Sequence, residues 1–120
     1  MLNKYQNTDK DIHQRIFRYV VSGMQVVKQI PKTLENIPII SQVAKSLTSM
    51  GANDQEADAA SSKRDFIAKY GIVKKETGET IYWWKILLDL GFKHEKLVWL
   101  ITEGKEIFNI VSTIIKNSRE

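Results

Sequence analysis

Apolar residues recur at steps of three and four along most of the chain, the spacing that keeps side chains on one helical stripe. Between residues 61 and 90 the stripe consists of Phe66, Tyr70, Val73, Thr77, Thr80, Trp84 and Leu87. Three further apolar residues, Ile72, Trp83 and Ile86, point away from it. We therefore predict one long helix with a core face and a second apolar face that another surface covers.

Two more helices are predicted ahead of this one. The first runs from Asp9 to Ile30 and ends there because a proline follows, which disfavours helical geometry at the preceding residue. The second begins after Asn36, its expected N-cap, and continues into a small and acidic segment. In that segment Asp54 and Asp58 extend the apolar stripe, so either this end is partly exposed or its acids meet a basic partner.

Capping signals bound the long helix, and a fourth helix follows it. Ser61 or Ser62 is the expected N-cap, with Asp65 in the place of a capping-box acid after Ser62, and Gly91 ends the helix. The fourth helix is predicted over residues 93–117. No alternating strand pattern occurs. Four helices of about 20–28 residues with short connections predict an all-α, antiparallel up-down-up-down four-helix bundle.

The composition is that of an ordinary globular protein. The 120 residues suffice for one domain, assigned to residues 9–120 after a flexible arm at residues 1–8. No run is apolar enough to span a bilayer and the polar start is unlike a signal peptide, so we expect a cytoplasmic protein without membrane contact. The absence of cysteine excludes thiol catalysis, disulfides and thiolate metal sites. A net charge of +4 is compatible with nucleic-acid or acidic-protein partners.

The third and fourth helices carry more apolar residues than one bundle core needs. The surplus positions are Ile72, Trp83, Ile86, Leu100, Ile107 and Ile114. Trp84 lies on the core stripe, whereas Trp83 lies off it, and tryptophan is a favoured anchor of protein interfaces. We therefore predict a homo-oligomer whose subunits meet through these six residues.

No catalytic, cofactor or metal site is predicted. A di-iron bundle needs Glu-x-x-His motifs, but a lysine and a glycine stand three residues before His13 and His94. We expect both histidines at the surface near helix starts. The protein is therefore interpreted as a non-enzyme without a cofactor.

Four polar residues of the second and third helices are assigned structural roles. Glu76 and Glu79 form a potential carboxylate pair, but no nucleophile, histidine or phosphate-binding loop accompanies them. Asn53 and Glu56 are expected to bond groups on the third helix and so to fix the register between the two helices.

Basic residues on the first and third helices are the candidate phosphate contacts. They are Lys10, Arg15, Arg18, Lys28, Lys63, Arg64, Lys74, Lys75 and Lys85. A solvated face with surface ion pairs is the competing interpretation. Because the chain has no aromatic-rich platform and no groove-reading helix, binding would depend on shape and charge.

Three separated motifs resemble those of a known family. They read S-x-G-A-N-x-x-E-A, A-S-S-x-x-D-F and K-E-x-x-E-T-x-Y-W, in that order. The matching positions are Ser49, Gly51, Ala52, Asn53, Glu56, Ala57, Ala60, Ser61, Ser62, Asp65, Phe66, Lys75, Glu76, Glu79, Thr80, Tyr82 and Trp83. On these motifs the chain resembles the four-helix-bundle family of 23S rRNA intervening-sequence proteins. Asp54 and Gly78 depart from the family pattern, which commonly has an aromatic or aliphatic residue and a longer side chain there.

The resemblance implies an all-α bundle that assembles as a homo-pentamer. A related branch, the accessory variability proteins of diversity-generating retroelements, binds nucleic acid and a reverse transcriptase through a basic surface. The expected function is therefore that of a non-enzymatic, homo-oligomeric accessory or scaffold protein whose partner is RNA or a nucleic-acid enzyme. The alternative is a protein interaction module with no nucleic-acid role.

Overall fold

The computed structural model describes residues 10–120, which form four helices and no strand. The helices are α1 (Lys10–Val27), α2 (Ile37–Asp58), α3 (Lys63–Asp89) and α4 (Leu97–Arg119). This confirms the predicted all-α four-helix bundle. The arm predicted at residues 1–8 lies outside the described residues. No helix in the described part of the chain combines the length and the apolar character that crossing a membrane requires.

Contacts between the helices establish their order and direction. Each helix touches the next one in the chain, and α4 also touches α1, whereas α1 and α3 lie across the diagonal. In every neighbouring pair, later residues of one helix meet earlier residues of the other. Between α1 and α2 the pairs that show this are His13 with Asp54 and Gly23 with Leu47, and between α2 and α3 they are Ser46 with Thr80 and Asp54 with Tyr70. Between α3 and α4 they are Gly78 with Phe108 and Ile81 with Gly104, and between α1 and α4 they are Arg15 with Glu103 and Tyr19 with Leu100.

The core contains the predicted stripe of α3 and a small hydrogen-bonded polar network. All seven stripe residues are buried, Trp84 among them. The Tyr19 hydroxyl donates to the Leu100 carbonyl over 2.6 Å and accepts from Trp84 Nε1 over 3.2 Å. Burial raises the pKa of Tyr19 well above its ordinary value. This network joins α1, α3 and α4 at the bundle centre without leaving a buried polar atom unsatisfied among the described residues.

Two helix ends differ from the prediction. α1 ends at Val27 because the amides of Gln29 and Ile30 bond carbonyls three residues back, which tightens the chain into a turn before the proline. Ile30 is nevertheless buried. α4 begins at Leu97 rather than at residue 93, since the chain first forms a turn after α3.

The structure confirms the residues predicted at the two ends of α3, but not the side-chain cap predicted for α2. Ser62 accepts a hydrogen bond from the Asp65 amide over 3.1 Å, so the expected N-cap of α3 is confirmed. Gly91 follows α3 with a φ of 94°, a conformation that favours glycine. Asn36 precedes α2 as expected but makes no capping bond with its side chain, because its amide group donates to the Pro31 carbonyl instead.

Candidate nucleic-acid interface

The structure divides the candidate phosphate contacts between two helices that are not neighbours. Arg15 and Arg18 lie on α1 and Lys28 directly follows it, while the other described candidates lie on α3, across the bundle diagonal. The side chain of Lys10 lies outside the described part of the chain. The predicted residues therefore do not form one continuous surface on a monomer.

Arg15 is occupied by an ion pair between helices. Its Nε and Nη2 donate to the two carboxylate oxygens of Glu103 over 2.9 and 2.7 Å, and Nη2 lies 3.4 Å from Glu106. The hydrogen bond to Glu103 raises the pKa of Arg15 further above its ordinary value. A two-point pair of this kind joins α1 to α4 and offsets the charge that would attract a phosphate. Arg15 is therefore removed from the candidate contacts.

α3 and α4 together present a row of cations on the side where they meet. Lys74 Nζ lies over the Phe108 ring of α4, 5.3 Å from its centroid. Lys63 and Lys85 stand 11 residues before and after Lys74, three helical turns away and therefore on the same side. Steps of three and four from Phe108 lead along α4 to further basic residues. We call this surface the basic face; its members are Lys63, Lys74, Lys85, Lys105, Lys116 and Arg119. Arg64 lies outside it, because it stands 11 residues before Lys75 and shares that residue's side of α3.

The cations of the basic face are not neutralised. Among residues 10–120, none of them has a carboxylate oxygen within 4.0 Å, because the ion pairs there involve His13, Arg15 and Lys69 on other sides of the bundle. Acids stand only toward its ends, with Asp89 one turn beyond Lys85 and Glu120 beyond the last arginine. The mild net charge of the chain is thus unevenly distributed.

Three members of the basic face were missed at the sequence level. Lys105, Lys116 and Arg119 were not proposed, because the side of α4 that faces α3 cannot be assigned without the packing. One signal was available: lysines 11 residues apart recur in both helices. Conversely, Lys75 lies on the other flank of α3. There it lines a polar cleft of about 210 Å³ together with Lys45, Glu76 and Glu79.

The carboxylates in this cleft interact with each other. A hydrogen bond with Glu76 raises the pKa of Glu79, with burial as a smaller cause, while Lys75 and Lys45 oppose the shift. Within residues 10–120 no group of three acidic, histidine or cysteine side chains is arranged to hold a metal ion. The proximity of Glu76 therefore disfavours the ionised form of Glu79.

His13 occupies a different place from the one expected. Its Nδ1 lies 2.9 Å from Oδ1 of Asp54, a side chain only 1% exposed, and its Nε2 lies 3.3 Å from Asp58. The Tyr70 hydroxyl donates to the same Asp54 oxygen over 2.9 Å. The surface assignment of His13 is therefore wrong. The acid that departs from the family pattern is buried because α1 and α3 supply its partners. His94 does stay near a helix start, where its Nδ1 accepts from the Lys96 amide.

The two polar residues expected to bond α3 behave differently. Glu56 lies 2.9 Å from Lys69 Nζ on α3, and this hydrogen bond raises the pKa of Lys69. Asn53 instead donates to the Ser49 carbonyl, one turn earlier on its own helix, over 2.9 Å. The expectation that Asn53 contacts α3 is therefore wrong, because a local backbone acceptor satisfies its amide.

The predicted subunit contact is also revised. Leu100 and Ile107 are fully buried within the monomer, so their assignment to a subunit surface is wrong. Residues of both apolar stripes of α4 contact other helices of the same monomer, because α4 packs against α1 and α3 at once. Ile72 is exposed, whereas Trp83, Ile86 and Ile114 are half-buried, and these four remain candidates.

A second apolar surface lies between α1 and α2. A groove of about 420 Å³ runs beside Phe17, which is 66% exposed, and Val20. Its α2 wall contains the small residues Thr48, Gly51 and Ala52, together with Gln55 and Asp54. We call it the apolar groove. Nothing in the sequence pattern singled it out, because Phe17 and Val20 also fit a broad core stripe.

The fold and its surfaces define an all-α four-helix bundle that carries one basic face and one apolar groove. The chain belongs to the 23S rRNA-intervening sequence protein family, whose family model matches residues 8–113. The resemblance seen in the motifs is thereby confirmed. The chain is also similar to the crystal structure of a protein of unknown function from the S23 ribosomal protein family of Bacteroides thetaiotaomicron. The two sequences are 29% identical. The TM-score is 0.80, over 89% of this chain and 96% of that one. No curated protein sequence matches.

Proposed function

We propose that this protein is a non-enzymatic, cytoplasmic, homo-oligomeric accessory protein that binds RNA through the basic face. The observation that carries the proposal is the row of six cations along α3 and α4, without a carboxylate partner among the described side chains. A merely solvated helix surface is usually laced with ion pairs at three- and four-residue spacing. Here the ion pairs among the described residues all join different helices, and none of them involves a cation of the basic face.

The physical benefit of unpaired cations is counterion release. A phosphate that meets a lysine displaces condensed salt ions, so log affinity falls linearly with log salt concentration. If all six members of the basic face contact phosphates, the slope is about −4 to −5. In a homo-oligomer, such as the pentamer implied by the family resemblance, each subunit contributes another copy of the face.

The test measures binding of a structured RNA to the intact protein by fluorescence anisotropy across a salt series. The triple variant Lys74→Gln, Lys85→Gln, Lys105→Gln is expected to weaken binding by roughly a hundredfold near 0.1 M salt and to reduce the slope by about 2 to 3. The matched control, Arg18→Gln, Lys28→Gln, Lys32→Gln, removes the same charge from the other side of the bundle. Equal losses in both variants would show that net charge, and not the basic face, drives binding.

A second function, protein interaction without nucleic acid, is favoured by the apolar groove. An aromatic ring as exposed as Phe17 beside a small-residue wall is unusual on a solvated surface and typical of contact sites. This interpretation predicts that Phe17→Ser changes the oligomer mass or abolishes capture of a partner while RNA is not bound at all. RNA binding that survives Phe17→Ser would favour the first function.

A further inference from the structure

We infer that the basic face takes the phosphate backbone of a double helix and not an unpaired strand. This inference rests on the proposed function and adds the class of nucleic acid to it. Three properties of the basic face carry it: its length, the charge density that it matches, and the scarcity of aromatic rings.

The basic face is long and straight. Lys63 and Lys85 are 22 residues apart on one uninterrupted helix, which corresponds to about 33 Å at 1.5 Å per residue. One turn of a B-form DNA duplex is about 34–36 Å long, and a turn of an A-form RNA duplex is shorter. A rigid rod of that length, laid along a duplex, meets both strands within its span. An unpaired strand gains nothing from a straight rigid surface, since it bends to follow any groove.

Charge density favours the same partner. A duplex carries one phosphate per about 1.7 Å of its axis, whereas one of its strands carries one per about 3.4 Å. Along about 33 Å the basic face therefore meets roughly twice as many phosphates on a duplex. Because Lys74 and Lys105 belong to different helices, the cations form two parallel columns rather than a single line. Two columns can serve two strands.

Aromatic platforms for unpaired bases are scarce on this side. Surfaces that hold single strands stack successive bases on several exposed rings. Among residues 10–120, the ring exposed beside the basic face is Tyr82, 58% accessible and three residues before Lys85. Phe108 is half-buried beneath Lys74, and Trp99 sits against Tyr19 of α1 on another side. One ring at one end of the face cannot hold a run of bases.

The experiment compares probes of about two helical turns, namely an RNA duplex, a DNA duplex of the same sequence and the unpaired RNA strand, on the full chain. Both duplexes are expected to bind at least about tenfold more tightly than the unpaired strand, because phosphates and not bases are contacted. Tyr82→Ala should leave duplex affinity within about twofold, while the triple lysine variant weakens both duplexes.

Two results would overturn the inference in distinguishable ways. If the unpaired strand binds as tightly as the duplexes, or if Tyr82→Ala weakens its binding by about tenfold, the basic face is a single-strand surface. RNA binding by the basic face, the proposed function, would then still stand. If no probe binds in a manner sensitive to the triple lysine variant, the proposed function fails and the inference fails with it.

Discussion

The buried carboxylate of Asp54 offers a test of how the helices are held together. His13→Leu removes the imidazole that meets Asp54 at 2.9 and 3.0 Å and leaves the carboxylate, 1% exposed, with the Tyr70 hydroxyl as a remaining partner. Breaking a buried pair from one side costs about 3–5 kcal/mol. Because Tyr70 still donates and His13 is itself partly accessible, we expect the lower end, about 3 kcal/mol. For a domain of this size that corresponds to a Tm lower by roughly 10 °C.

The assay is urea unfolding at neutral pH and one fixed protein concentration, because the proposed self-association would contribute to apparent stability. The double variant His13→Leu, Asp54→Leu removes both partners and should recover most of the loss, because no charge stays buried without its partner. His94→Leu is the control, and it should cost less than about 1 kcal/mol because it removes one exposed helix-start bond. If the double variant loses the sum of the two single losses, the two side chains are not coupled and the reasoning is refuted.

Three further predictions concern packing, assembly and binding. In the same unfolding assay, Gly104→Ala should destabilise the fold by about 1–3 kcal/mol, because the added Cβ would lie 2.5 Å from the buried hydroxyl of Tyr19. Gly71→Ala should stabilise the fold by up to about 1 kcal/mol, because no atom lies within 4 Å of the added Cβ. Trp83→Asp should lower the oligomer mass in light scattering, and an unchanged mass would place the subunit contact elsewhere. Lys74→Gln should weaken RNA binding by roughly fivefold and reduce the salt slope by about 1. Lys75→Gln is the control and should change the affinity by less than about twofold. Equal effects of the two variants would contradict the exclusion of Lys75 from the basic face.

Much of the fold could be predicted from the sequence because its signals are local. The three- and four-residue spacing in α3 identified a stripe that is buried along its whole length. Ser62 and Gly91 marked the ends of that helix through backbone requirements that a few neighbouring residues settle. The family motifs acted in the same way, as runs of residues with fixed spacing.

The partners of polar side chains could not be predicted, because they are separated along the chain. His13 meets an acid 41 residues away, and Arg15 meets Glu103 over a separation of 88. From its own helix alone, Arg15 suited either solvent or a phosphate, and His13 was expected at the surface. Only the packed bundle shows that both are already engaged.

The surfaces of the bundle were decided by which helices are neighbours. Periodicity determined that α4 has two apolar stripes, but only its position between α1 and α3 shows that Leu100 and Ile107 are both interior. Likewise, the sequence determined that α3 is rich in lysine, while its contact with α4 adds Lys105 and Lys116 to the same face. The physical reason is that a helix repeats its own side chains by local geometry, whereas the surface between two helices depends on their relative rotation, which long-range packing alone sets.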